Sequence, residues 1–217
     1  MRPVRLRPGF AAIAAAIGTL FLAATPQRAA ADDQADAAFA ARMFAGGAVN
    51  SKSYACFVRR YDAEHMAQHP LQRVSVMKLL ITAEKDPDDP SLEYSFRLGV
   101  NYRDRPGDFD SSGDCGHAPT VRAPEPAGSP EAGIDFFCGV DCDGGGISVN
   151  LANKDASVIV KLDRIRIWRS GKEQDESAAR ALTGAADDKI FRLDRASPNE
   201  CAALVTDRKE LAALRHK

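Results

Sequence analysis

Hydrophobic and polar residues alternate without a break from 92 to 103. Leu92, Tyr94, Phe96, Leu98, Val100 and Tyr102 take one face, and Glu93, Ser95, Arg97, Gly99, Asn101 and Arg103 the other. A period of two is the pattern of a β-strand with one buried face. Ile134, Phe136, Cys138 and Val140 repeat it, as do Ile147, Val149 and Leu151. A run from Val74 and Val76 to Glu84 changes phase at Met77, Leu79 and Ile81, which predicts a bulge or burial on both faces. Val158, Val160 and Leu162 pass into Ile165, Ile167 and Trp168 with a second phase change at Asp163 and Arg164. Residues 54–59 and the pair Phe191 and Leu193 complete a set of about seven strands. Parallel pairing needs long crossovers, and no helical period separates these runs. The pattern therefore predicts a mainly β fold with antiparallel pairing, a meander barrel or a sandwich.

Helical signals sit at the edges of this pattern. Residues 36–44 suit one or two turns ended by Gly46 and Gly47, and Asp62 is placed to cap a short helix near 62–69 that Pro70 stops. Ser197, Pro198, Asn199 and Glu200 read as a capping box with proline at the first helical position, opening a C-terminal helix over 198–214. Residues 104–133 carry Pro106, Pro119, Pro124, Pro126 and Pro130 among Gly, Ser and Asp, and read as one long loop.

The first 31 residues follow a different rule. Arg2, Arg5 and Arg7 precede an apolar stretch over 10–25, and Ala29, Ala30 and Ala31 stand before Asp32 and Asp33. That order is a secretory signal peptide with a mature start near Asp32. The apolar stretch is shorter than the roughly 20 residues of a membrane-crossing helix. Pro26 and Arg28 close it, and no second apolar stretch of spanning length follows, so no membrane span is expected after cleavage. The chain thus divides into a signal peptide at 1–31, a helical or flexible lead-in at 32–50, and a single β-rich domain at 51–217. The expected location is a bacterial periplasm or the cell exterior. Removing Arg2, Arg5, Arg7 and Arg28 takes the net charge from −1 to about −5. A mildly acidic chain does not have the basic footprint of a nucleic-acid binder.

Export also sets the chemistry of the five cysteines, Cys56, Cys115, Cys138, Cys142 and Cys201. Thiols pair in oxidising compartments. Joining Cys56 to Cys201 closes the longest loop and removes the most unfolded-state entropy. A second bridge joins Cys115 to either Cys138 or Cys142, and one thiol is left over.

Three groupings suggest chemistry. His65 and His69 stand four residues apart on the short helix, on one face, where two imidazoles can hold a transition metal if a third ligand joins them. Asp108, Asp110, Ser112, Gly113 and Asp114 imitate the start of a calcium loop, but Pro119 occupies the position of its closing glutamate. Cys138 to Gly146 reads as a disulfide-pinned hairpin with three glycines at its turn, offering Asp141 and Asp143 as ligand contacts. There is no G-x-S-x-G elbow and no cysteine in the setting of an activated thiolate.

The segments YDAEHMAQHPLQRV at 61–74, CGVDCDGGG at 138–146 and IFRLD at 190–194 resemble a group of small exported proteobacterial proteins with no assigned function. The resemblance implies export and carries no activity, cofactor or partner. Two readings follow from the residues themselves. One is a non-enzymatic binding or inhibitor-like β module of the envelope, held by disulfides and presenting loops to an envelope protein or a small ligand. The other is a metal-binding protein or metal-dependent hydrolase built on His65 and His69.

Overall fold

Among the described residues nine antiparallel strands form one sheet that closes on itself as a ring, which selects the barrel over the sandwich. The computed structural model describes residues 27–46, 49, 52–85, 91–117, 136–171, 178–184 and 186–215. In chain order the elements are α1 (Gln27–Met43), β1 (Lys52–Arg60), α2 (Ala63–Gln68), β2 (Val74–Lys85), β3 (Leu92–Tyr102), β4 (Asp108–His117), β5 (Phe136–Gly139), β6 (Gly145–Ala152), β7 (Ser157–Arg169), β8 (Arg180–Thr183), β9 (Ile190–Ala196) and α3 (Arg208–Arg215). Each of β1 to β7 pairs with the next, β7 pairs with β9, and β9 returns to β1. β8 lies beside the second half of β7. Residues 1–26 of the expected leader and Ile134 lie outside the described residues, and α1 already includes Gln27.

The alternation read from the sequence fills the bore. Inward positions meet in layers across the strands: Ala55, Ile81, Phe96 and Gly113 stand side by side, and so do Phe57, Leu79, Leu98 and Ser111. Large residues face small ones, as a narrow barrel requires. Gly113 is needed here, because a Cβ at that position would overlap the carbonyl of Gly139 and press on the Phe96 ring. Phe57, Phe96, Phe136 and Phe191 are almost wholly buried in this core.

Both expected phase changes are present. The β2–β3 register shifts between Val74 and Val76, and Leu79, Leu80 and Ile81 are buried on both faces of β2. In β7 the pairing steps from Arg164 opposite Gly146 to Leu162 opposite Ile147, so Asp163 is the bulged residue. β7 thereby turns from β6 and β9 towards β8 and the start of β4, where Phe109 faces Arg169 and Asp110 faces Trp168. Ser111 Oγ donates to the Arg166 carbonyl at 2.7 Å across the same seam.

Two expectations are corrected. The long loop at 104–133 contains strand β4, and 118–133 lie outside the described residues. Its inward positions are Phe109, Ser111, Gly113, Cys115 and His117, so small and polar side chains hide the alternation. The C-terminal helix is broken in two: Pro198–Leu204 is a 3-10 helix, and α3 begins only at Arg208. Ser197 makes no side-chain cap, because Glu200 N donates to the Ser197 carbonyl at 2.9 Å, and the Glu200 carboxylate, the return half of the box, is drawn to Arg60 at 2.6 Å, while Asp207 caps α3 by accepting from Glu210 N at 2.8 Å. This segment covers the outer face of β1 and β2, burying Tyr54, Cys56, Val58 and Leu80 against Cys201, Val205 and Leu214. Cys56 and Cys201 are bridged there.

Helix α1 closes one end of the barrel. Phe39, Ala40, Met43 and Phe44 enter the core, with Phe39 against Phe136, Tyr94 and His117. Arg195 holds its C-terminus, donating to the carbonyls of Met43 at 2.7 Å, Arg42 at 3.2 Å and Asp155 at 2.8 Å. A cation on the last carbonyls of a helix satisfies groups that no intrahelical donor reaches. A cut near Asp32 leaves the packed part of α1 intact.

Candidate functional site

The expected metal pair sits on α2, whose start is fixed by Asp62 accepting from His65 N at 2.8 Å. The imidazoles of His65 and His69 lie flat on one another, with ring centroids 4.3 Å apart and planes 27° apart, and Tyr61 stacks on the far side of His65. Gln72 uses its amide N–H on the Val74 carbonyl and its Oε1 on His65 Nε2 at 3.0 Å, which assigns the proton to Nε2. Stacked rings direct their in-plane lone pairs side by side, whereas a shared metal needs them aimed at one point. Among the described residues no group of three or more His, Cys, Asp or Glu side chains is placed to hold a metal ion.

Asp141 and Asp143 are exposed in the turn between β5 and β6. Cys142 and Asp143 adopt positive φ of 53° and 58°, and Arg164 donates to the Asp143 carbonyl at 3.0 Å. The hairpin is pinned to β4 by Cys115–Cys138, whose residues lie directly opposite in register, and Cys142 is the exposed free thiol. The aspartates of the imitated calcium loop lie along the extended strand β4, so their oxygens do not wrap a common centre.

A polar cluster under α1 has no counterpart among the groupings read from the residues. Asp36 Oδ1 accepts from Tyr94 Oη at 2.7 Å and from His117 Nε2 at 2.8 Å. Burial first, then the hydrogen bond and charge of Asp36, push the Tyr94 phenol far up. His117 Nδ1 is buried and has no hydrogen-bond partner among the described residues. An Asp–His pair of this kind can act as a base only if its free nitrogen reaches a proton source. Among the described residues no proton source stands on Nδ1, and the bonds that are present tie α1 to β3 and β4 through Asp36.

The opposite end of the barrel is different. β3 runs from Tyr94 beside α1 to Tyr102, and β7 runs from beside Asp155 to Arg169, so the turns after both strands lie remote from α1. There a cleft of about 480 Å³ is lined by Arg105, Pro106, Phe109, Trp168, Arg169, Ala178 and Arg180. Arg105 lies over the rings of Tyr102 and Phe109, at 5.3 and 5.8 Å. Gly107, at φ +105°, makes room for the neighbouring guanidinium: a Cβ there would stand 2.8 Å from an Arg169 nitrogen. No carboxylate of the described residues forms an ion pair with Arg105, Arg169 or Arg180. Asp108, the nearest acid in sequence on β4, is engaged by the amide of Asn101 at 2.5 Å. A partial signal was present as Arg169 beside the tryptophan, in IWRS at 167–170, but strand periodicity claimed those residues first.

A smaller cleft of about 180 Å³ lies on the outer wall, where the exposed Phe137 and Ile190 flank Ser148, Lys161 and Lys189. Comparison with protein-family models, curated proteins and solved structures finds no match to this chain.

Proposed function

We propose that the chain is an exported binding module of a bacterial periplasm or exterior, taking a small ligand at the cleft formed by Arg105, Arg169 and Arg180. One observation carries this reading. The bore is filled by side chains and closed by α1, while the cleft remote from α1 has the volume of a small-molecule site and three guanidinium groups that no carboxylate of the described residues pairs. Support for export comes from the leader pattern and from two bridged cysteine pairs, Cys56–Cys201 and Cys115–Cys138. No helix of the described residues is long and apolar enough to cross a membrane.

The test is to express the full chain in a bacterial host, fractionate the cells and map the processed protein. The expected product starts near Asp32, is bridged as stated, and leaves Cys142 open to alkylation. Purified under native conditions and incubated with small molecules from an envelope extract, it should retain a low-mass species seen by native mass spectrometry. A chain found unprocessed in the cytosol, or one that retains nothing, overturns the reading.

A further inference from the structure

We infer that the Arg105–Arg169–Arg180 cleft binds an organic oxyanion, a carboxylate or phosphate carried on a small apolar or aromatic body. This rests on the binding-module reading and adds its ligand class.

The arginines supply the first half of the argument. A guanidinium stays charged at any physiological pH and presents paired donors that match the two oxygens of a carboxylate or phosphate. Three of them border one cleft on a chain whose net charge is −1, and none has a carboxylate partner among the described residues. Like charges gathered in a concave site focus a positive potential that raises the local concentration of anions. Among the described residues no carboxylate stands within ion-pair distance of the three.

The remaining lining supplies the second half. Phe109, Trp168, Pro106 and Ala178 form the apolar part of the cleft, and a cavity of about 480 Å³ is far larger than a bare inorganic anion needs. The aromatic pair is fixed rather than adaptable: Phe109 is 3% and Trp168 6% exposed, and the strands that carry them are hydrogen-bonded to each other at this point. An apolar floor under a cationic rim selects a ligand with both an anionic group and a carbon body.

Trp168 is the only tryptophan in the chain, so its emission reports on this cleft alone. Phenyl phosphate, benzoate, inorganic phosphate and phenol are titrated against the processed protein, following emission excited at the red edge, with calorimetry as a second readout. Saturable binding of phenyl phosphate or benzoate is expected, at least tenfold tighter than phenol, with inorganic phosphate weaker than phenyl phosphate. The arm that binds more tightly identifies phosphate or carboxylate as the preferred group. Arg169→Ala/Arg180→Ala should weaken binding at least tenfold, Arg169→Lys should weaken it less because charge remains while the fork is lost, and Arg208→Ala on α3 should change nothing. Circular dichroism confirms that each variant is folded. Binding of phenol equal to that of the anions, no binding of any probe, or undiminished binding by the double variant overturns the proposal. If a neutral or cationic envelope ligand is retained instead, the ligand class fails while the binding-module reading stands.

Discussion

The two ends of the barrel are built from the same strands and differ in how much of their charge the fold consumes. At the α1 end, Arg42 pairs with Asp155 at 2.8 Å, Arg195 is committed to three carbonyls, and Asp36 is committed to Tyr94 and His117. At the other end, Arg73 meets the fully buried Asp188 and Arg103 spreads over the carbonyls of Met66, His69, Pro70 and Gln72. Arg105, Arg169 and Arg180 stand beside these two and have no such engagement among the described residues. Charges consumed inside the fold hold elements in place. Charges left over, gathered around one cleft, are available to another molecule.

The largest expected effects lie in the covalent and packed parts of this contrast. Cys56–Cys201 spans 145 residues and Cys115–Cys138 spans 23. In the chain-entropy account, removing the first by Cys56→Ser/Cys201→Ser should cost about 4–5 kcal/mol and removing the second about 3 kcal/mol. Urea midpoints of the two double variants give the order directly; a reversed order would make the bridge near α1 the main staple. Phe39→Ala removes the ring that seats α1 on Phe136 and Tyr94, and should cost about 3–4 kcal/mol in the same measurement. A loss under about 1 kcal/mol would show α1 to be a loose cover rather than part of the core.

The fold was legible where apolar side chains fill alternate positions. β3 and β6 could be read directly, and even the bulge at Asp163 showed as a slip of phase between Leu162 and Ile165. β4 was hidden because its inward face is Ser111, Gly113, Cys115 and His117, chosen to fit beside Phe96 and the β5 backbone. β8 has only Leu182 buried, too little for a pattern. The capping box at Ser197 misled because local donors and acceptors cannot anticipate a distant competitor, here Arg60 for Glu200. The sites were less legible still. His65 and His69 share a helix face as their spacing requires, yet Gln72 and Tyr61 decide how the rings lie. The three arginines come from the β3–β4 turn, the end of β7 and the start of β8, and only closure of the barrel brings them together.

A smaller effect depends on pH. Glu210 on α3 is half-buried, which alone would raise its carboxyl, but the two Arg97 hydrogen bonds at 3.0 and 2.9 Å and the nearby Lys52 outweigh burial and hold it below the ordinary carboxylate range. A carboxyl depressed in the folded state stabilises above its unfolded value, and that contribution is lost as pH falls through the folded value. Glu210→Gln should therefore cost about 2 kcal/mol at neutral pH, with the gap from the parent closing in acid. A gap that stays constant down to the acid transition would mean that Arg97 and Glu210 contribute shape rather than charge.

The smallest expected effect on stability is also the sharpest test of the contrast. Arg169→Ala/Arg180→Ala removes two cations that no carboxylate of the described residues neutralises, so the unliganded protein should change by no more than about 0.5 kcal/mol. The difference should emerge only when ligand is added. At a free concentration near one hundred times its dissociation constant, an anion that binds the folded state stabilises by about 2.7 kcal/mol, so phenyl phosphate should raise the parent's midpoint by that much and, with binding at least tenfold weaker, stabilise the double variant by no more than about 1.4 kcal/mol. If instead the double variant is as unstable as Phe39→Ala without ligand, these arginines are structural like Arg195 and Arg103, and the two ends of the barrel use their charge for the same purpose.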